Sequence, residues 1–243
     1  MSFDGLAPFY RAMEALCAGG KLQRCRAEWL PHIPVPRSIL LAGEGHGRSL
    51  EACLRLFPSA RIVAVDASAR MLAQARARLA RANLDASRVQ FIHANLLEWE
   101  PPAAAFDLIV THFFLDCFPA DQLKRVVSNL ASVATPDARW LVADFQVAPS
   151  GPARWRSRCI LALLYAFFRL VTRLPARSLV CPDAALEEAG FHCHRRRESD
   201  WRLLKSEWWQ RGESTAPASG REMRSGQMAR VPVAPLLTLH DSA

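Results

Sequence analysis

Five apolar runs of strand length punctuate the chain as far as Phe145, and stretches of helical period separate them. The first, Ile39-Leu40-Leu41-Ala42, is apolar on both faces, which predicts a strand buried on both sides of a parallel sheet. It breaks into Gly43, Gly45 and Gly47, a tight turn that lets the backbone approach a ligand without a Cβ in the way. Further strands are expected at residues 61–66, 89–96, 106–114 and 139–145. Helices are expected over 48–57, 69–82 and 119–134, with none, or a very short one, between the third and fourth strands. Alternation of this kind predicts an α/β fold with a doubly wound, mostly parallel sheet and helices on both faces. Beyond it, 182–190 reads as a helix with Gly190 as its C-cap. Residues 191–199 and 201–209 read as two more strands, which makes seven. Ligands of such sheets bind outside the carboxyl ends of the strands. Gly43 to Gly47, Asp66, Asn95, Thr111, His112 and Asp144 all fall at those ends.

The spacing of the glycines separates cofactor classes. The dinucleotide fingerprint wants Gly or Ala where this chain has Arg48. The pattern G-x-G-x-G instead resembles motif I of the class I S-adenosylmethionine-dependent methyltransferases. The second strand ends in Asp66, a carboxylate placed to accept both hydroxyls of a ribose. It opens the run D-x-S-x-x-M-L-x-x-A-R (Asp66 to Arg76), which also resembles that family, with Ser68 as the N-cap of the next helix. A cap or turn carboxylate is the alternative for Asp66. The strand ending at Asn95 resembles the family strand whose last residue holds the adenine amino group, with Asn in place of the usual Asp. Phe106-Asp107-Leu108-Ile109-Val110 matches the family strand that ends near the methyl donor.

The resemblance covers roughly residues 3–209 and implies a Rossmann-like fold with S-adenosyl-L-methionine as cofactor. It implies cofactor contacts from Gly43, Glu44, Gly45, Gly47, Asp66, Ala67, Met71, Asn95, Leu96 and Thr111. One departure stands out. The family usually has an acidic residue two before the first glycine; this chain has Leu41, and Glu44 is the nearest replacement. The opening Phe3-Asp4-Gly5-Leu6-Ala7-Pro8-Phe9-Tyr10 resembles the start of many small-molecule methyltransferases, where this helix closes over the site. That implies a contact from Tyr10, with a plain packing helix as the alternative.

Methyl transfer needs a nucleophile held in line, and a base only if the nucleophile arrives protonated. His112 is the leading base because histidine can titrate near neutrality; Asp116 and Asp144 follow. Phe113 and Phe114 stand where the amino-directed nucleic-acid and protein methyltransferases carry an N-P-P-Y type sequence. With Phe118 they favour a small, hydrophobic or aromatic acceptor. The alternative function is a non-catalytic S-adenosylmethionine-binding protein, or a membrane-associated accessory protein of the same fold.

Composition adds limits. A chain of 243 residues, 51% hydrophobic, suits one domain. We expect that domain over 1–211, with 1–36 as a helical cap, 37–150 as the cofactor-binding core and 151–178 as a lid or substrate helix. Residues 179–211 would hold the last helix and two strands, and 212–243 a disordered tail. The net charge of +8 is nearly all arginine, since lysine occurs only at Lys21, Lys124 and Lys205. No reader fold or basic–aromatic interleaving points to nucleic acid. The stretch 153–174 has an apolar run too short to span a bilayer. A core or lid helix, a peripheral membrane contact and a dimer face all remain readings of it. No metal site is expected: strand alternation parts His192 and His194 from Cys193. Seven scattered cysteines without a C-x-x-C pair, and no visible signal peptide, read as a cytoplasmic protein.

Overall fold

The computed structural model describes residues 20–99, 106–172 and 179–212. The expected cap helix with Tyr10 and the expected tail lie outside the described residues, apart from the short helix α1 (Lys21–Ala27). The strands are β1 (Ser38–Ala42), β2 (Arg61–Asp66), β3 (Val89–His93), β4 (Phe106–His112), β5 (Ala134–Phe145), β6 (Phe191–Ser199) and β7 (Leu204–Arg211). They form one seven-stranded sheet in the order β3-β2-β1-β4-β5-β7-β6. β1 to β5 pair in parallel, and β7 runs antiparallel to both β5 and β6. This is the doubly wound sheet expected from the alternation of segments. The order reverses between β1 and β4, which opens a crevice at their carboxyl ends.

The remaining helices are α2 (Arg48–Leu56), α3 (Ala69–Arg81), α4 (Ala120–Ser132), α5 (Gly151–Thr172) and α6 (Asp183–Glu188). Period-2 alternation sends neighbouring residues of each strand to opposite faces. Leu40, Ile109, Trp140, Val142 and Trp209 join Leu123, Val127 and Leu130 of α4 and Leu186 of α6 in one core. Ile39, Leu41, Leu108, Val110 and Leu141 join Leu50 and Leu54 of α2 and Ala75 and Leu79 of α3 in the other. Each such side chain contributes about 1.5–3 kcal/mol by leaving water. Trp140 and Trp209 lie opposite one another across β5 and β7, fully buried. Their indole N–H groups donate to Thr111 Oγ1 (2.9 Å) and Glu207 Oε2 (3.1 Å), so neither is orphaned.

Two strands start several residues away from the sequence expectation, and β3 and β4 end short of it, at His93 and His112. β5 begins at Ala134, five residues early, because an irregular register at Phe106 and Leu108 lets its first residues pair with β4. β7 begins at Leu204, not Trp201, because Asp200, Trp201 and Arg202 all take left-handed backbone (φ 50°, 58° and 63°) to turn the hairpin. Asp200 is held there by Lys21 at 2.7 Å and Arg156 at 3.1 Å.

Helix α5 packs Leu161 and Tyr165 against Leu203. Its outer surface carries Trp155 (77% exposed) and Leu163 (73% exposed) beside Arg154 and Arg158, so that surface is mixed rather than a purely basic stripe. Among the described residues no helix is long and apolar enough to cross a membrane.

Candidate active site

The turn after β1 is built by three glycines in left-handed backbone: Gly43, Gly45 and Gly47 at φ 68°, 63° and 89°. A Cβ at Gly43 would meet the Phe114 ring at 2.0 Å, so the ring can close on the turn only because that side chain is missing. A Cβ at Gly45 would meet nothing within 4 Å. The backbone there faces open space, as a turn that receives a ligand must.

Asp66 ends β2 beside this turn and is 7% exposed. Its Oδ2 accepts from the Gly45 N–H (2.8 Å) and its Oδ1 from the Ser68 N–H (2.8 Å). The Ser68 hydroxyl in turn accepts from the Met71 N–H (3.1 Å) and caps α3, as expected from the sequence. Ala67 and Met71 thus stand at the entry to α3, with Met71 buried. Asn95 follows β3; its Oδ1 accepts from the Leu97 N–H (3.2 Å), and Leu96 beside it is buried. The glycine turn, Asp66, Met71 and Asn95–Leu96 therefore gather around the ends of β1, β2 and β3. An open glycine cradle beside a carboxylate fixed by two backbone N–H groups fits a nucleoside diol.

Glu44 and Thr111 are otherwise engaged. The Glu44 Oε1 accepts from the Leu50 N–H (2.8 Å), which ties its carboxyl to the first turn of α2. Burial pushes that carboxyl up to about 7 against the opposing pull of the Leu50 N–H and the Arg26 guanidinium. The Thr111 hydroxyl receives the Trp140 indole and is fully buried.

Past β4 the site divides between the two faces of the sheet. On one, His112 Nδ1 lies 2.9 Å from the Ser49 hydroxyl of α2. Burial, helped by the Arg26 guanidinium, pushes His112 down to about 3. The imidazole therefore stays neutral at ordinary pH and is a weak proton acceptor, not the near-neutral group expected from sequence. Arg26, buried in α1, lies over the Phe113 ring at 4.8 Å. Phe113 takes φ 55° and packs on Phe145 with 5.2 Å between ring centroids. Phe114 meets Phe118 edge-on at 5.0 Å.

On the other face, Asp116 and Asp144 are both buried, at 8% and 1% exposed. Asp116 sits in the turn after β4 and Asp144 near the end of β5. The two carboxyls act on each other electrostatically, and neither Asp144 oxygen receives a donor. Burial pushes Asp116 up to about 6. Burial, then the Asp116 charge, hold Asp144 well above the carboxylate range.

Next to this pair lies a charge cluster that sequence reading missed. Lys205 of β7, 2% exposed, reaches Asp183 Oδ1 (2.7 Å) and Glu207 Oε1 (3.0 Å). Arg196 closes it with a 2.6 Å contact to Glu207. Arg196 thus pairs with both Asp183 and Glu207. Ser49, Arg26 and Lys205 carried no motif; the one hint was a lone lysine in an apolar strand of an arginine-rich chain. Among the described residues no group of histidine, cysteine and carboxylate side chains could hold a metal.

Residues 39–137 match the family described as a methyltransferase domain. Curated relatives include the trans-aconitate 2-methyltransferase of Rhodopseudomonas palustris (strain BisB5), 36% identical over 107 residues, which are 42% of this chain and 39% of that protein. Another is the trans-aconitate 2-methyltransferase of Afipia carboxidovorans, 38% identical over 96 residues, 39% of this chain and 34% of that protein. The chain thus matches between a third and two fifths of the length of these relatives. A solved 1,6-didemethyltoxoflavin-N1-methyltransferase from Burkholderia thailandensis, with S-adenosylhomocysteine bound, superposes with a TM-score of 0.60 at 17% identity, covering 86% of this chain and 88% of that one. An O-methyltransferase family 2 protein from Planctomyces limnophilus, solved with apigenin, gives 0.65 at 16% identity, covering 87% and 62%. At those identities the likeness is one of fold.

Proposed function

We propose that the chain, whose residues 39–137 match the methyltransferase-domain family, is a class I S-adenosylmethionine-dependent methyltransferase that methylates a small acceptor at the carboxyl ends of β4 and β5. The observation that carries this is the pairing of an open glycine turn with Asp66, joined by the Gly45 N–H bond. In this reading Asp66 holds the ribose hydroxyls, the Gly43–Gly47 turn and Met71 flank the nucleoside, and Asn95 and Leu96 border the adenine. The Asn95 Oδ1 keeps one acceptor position beyond its Leu97 bond. Glu44, tied to the first turn of α2, serves the cofactor's amino group.

When bound, S-adenosylmethionine supplies an electrophilic methyl group on a sulfonium. The chain's own part is to bind, to orient and to exclude water. Asp66, fixed by two backbone N–H donors, is preorganised and loses little freedom on binding. Phe113, Phe114, Phe118 and Phe145 offer an aromatic wall to the acceptor. That wall favours a hydrophobic or aromatic compound.

The likeness to trans-aconitate 2-methyltransferases supports a second reading, in which the acceptor is trans-aconitate. Incubation with methyl-labelled S-adenosylmethionine and separate acceptors decides between them. The first reading expects label in a phenol or aromatic amine. Label in trans-aconitate alone favours the second, and label in neither class removes the catalytic reading.

A further inference from the structure

We propose that Asp116 and Asp144 form a proton-sharing carboxyl pair that receives the acceptor's proton, so that the acceptor bears a hydroxyl or an amine and is not a polycarboxylate. This rests on the methyl-transfer reading above and names its substrate class.

The geometry carries the argument. Asp144 is 1% exposed, and neither of its two oxygens meets an N–H or O–H donor. A buried carboxylate without donors is costly, so a structural role alone leaves that arrangement unexplained. Lys205, directly across from Asp144 in the β5–β7 ladder, draws on it through its charge but donates no hydrogen bond to it, because its ammonium is bonded to Asp183 and Glu207. The other groups acting on Asp144 are Cys25 of α1, Cys117 beside Asp116, Tyr165 of α5 and Glu207 of β7. None of these four is a cation. The Tyr165 hydroxyl donates to the Asp116 carbonyl (2.9 Å), so α5 fixes the turn that carries the pair.

Two carboxyls that repel each other in a buried site resist ionising together, so they keep one proton and one negative charge between them. The upward shifts of both groups agree with that state. Such a pair can take one more proton and become neutral, which its buried setting favours. The balance is complete. The acceptor's oxygen or nitrogen gains the methyl group, the sulfur keeps the bonding electrons, and the displaced proton passes to the pair. His112, held low by burial and bonded to Ser49, is the poorer base. A polycarboxylate has no such proton to give at neutral pH. It would also face the negative pair, with the Lys205 charge already spent on Asp183 and Glu207.

The test has two readouts. Infrared difference spectra of wild type and Asp144→Asn at neutral pH report the protonated carboxyl directly; the pair predicts a carboxyl C=O band in wild type that the variant lacks. Labelled methyl transfer is then measured with phenol, catechol, aniline and trans-aconitate. The expected result is transfer to at least one of the first three and none to trans-aconitate. In Asp144→Asn, kcat should fall by about 100-fold or more with KM little changed. The acidic limb of the wild-type pH profile should vanish with it. Absence of the band, transfer to trans-aconitate, transfer to none of the proton-bearing probes, or an Asp144→Asn enzyme that keeps its rate and acidic limb overturns the proposal. Calorimetric binding of S-adenosylmethionine is read alongside. Intact binding with any of those results sinks this inference alone, whereas absent binding in wild type sinks the reading beneath it.

Discussion

The Gly45 N–H donates to Asp66 Oδ2 at 2.8 Å, so the turn after β1 is fastened to the end of β2 by one charge-assisted hydrogen bond. The residues are 21 apart in sequence, and the parallel pairing of Ala42 with Val65 is what brings them together. The Gly43 N–H also donates to the Val65 carbonyl (2.9 Å), which leads the chain from ladder into turn without a break. The crevice is thus shaped before any ligand arrives.

The two outer requirements of that turn separate by mutation. Gly45→Ala meets no atom within 4 Å, so it bears only the left-handed backbone cost of roughly 1 kcal/mol. Gly43→Ala bears the same cost and in addition drives a Cβ into the Phe114 ring. We expect Gly43→Ala to melt several degrees below Gly45→Ala, and Gly43→Ala/Phe114→Ala to recover part of the difference. Scanning calorimetry checks this; equal melting points for the two single variants would contradict it.

Lys205→Met should be among the most damaging single changes. It leaves Glu207 and Asp183 with only the more exposed Arg196 as partner, at a cost of about 3 kcal/mol. Burial alone would lower the Lys205 pKa, yet the Glu207 and Asp183 charges reverse that and raise it, so the ammonium is held firmly. Urea unfolding gives the loss directly. A change within about 0.5 kcal/mol, the size usual for plain surface positions, would show the cluster to be inert.

Much of this architecture was legible beforehand, because it rests on local chemistry. Ile39–Ala42 must be buried on both sides, glycines must follow where the backbone turns left-handed, and Ser68 must cap α3. The hairpin start was misjudged because Trp201 looks like a strand residue by type, whereas Asp200 is pinned by Lys21 and Arg156 from far along the chain. His112 was read as a group titrating near neutrality because sequence shows the residue and not its desolvation. The bond to Ser49 and the nearness of Arg26 come from packing α1 and α2 onto the sheet. The Asp116–Asp144 contact likewise needs the turn after β4 to fold against the end of β5.

Acid and neutral stability should respond to two opposed groups. The folded-state pKa of His112, about 3, lies below its ordinary 6.5, so between those values the unfolded chain binds a proton that the native state does not. Its contribution is lost as pH falls from 6.5 toward 3, by up to about 1.4 kcal/mol per pH unit. For Glu44 the sign is reversed: its folded value of about 7 exceeds 4.5, so it lowers stability as pH rises between them. Urea titrations across the acid-to-neutral range should show His112→Asn losing the acid-side decline and Glu44→Gln losing the neutral-side decline. Curves parallel to wild type in both variants would refute the burial of these groups.

The central claim is that a nucleoside diol sits in the glycine crevice and is held by Asp66. Titration calorimetry with S-adenosylmethionine and S-adenosylhomocysteine, on wild type and on Asp66→Ala confirmed as folded by circular dichroism, tests it most directly. The account predicts saturable binding of both compounds by wild type. It predicts affinity weakened about 10- to 100-fold in the variant, as expected for losing hydrogen bonds to a charged acceptor. Wild type that binds neither compound, or a variant that binds both as tightly as wild type, would contradict it.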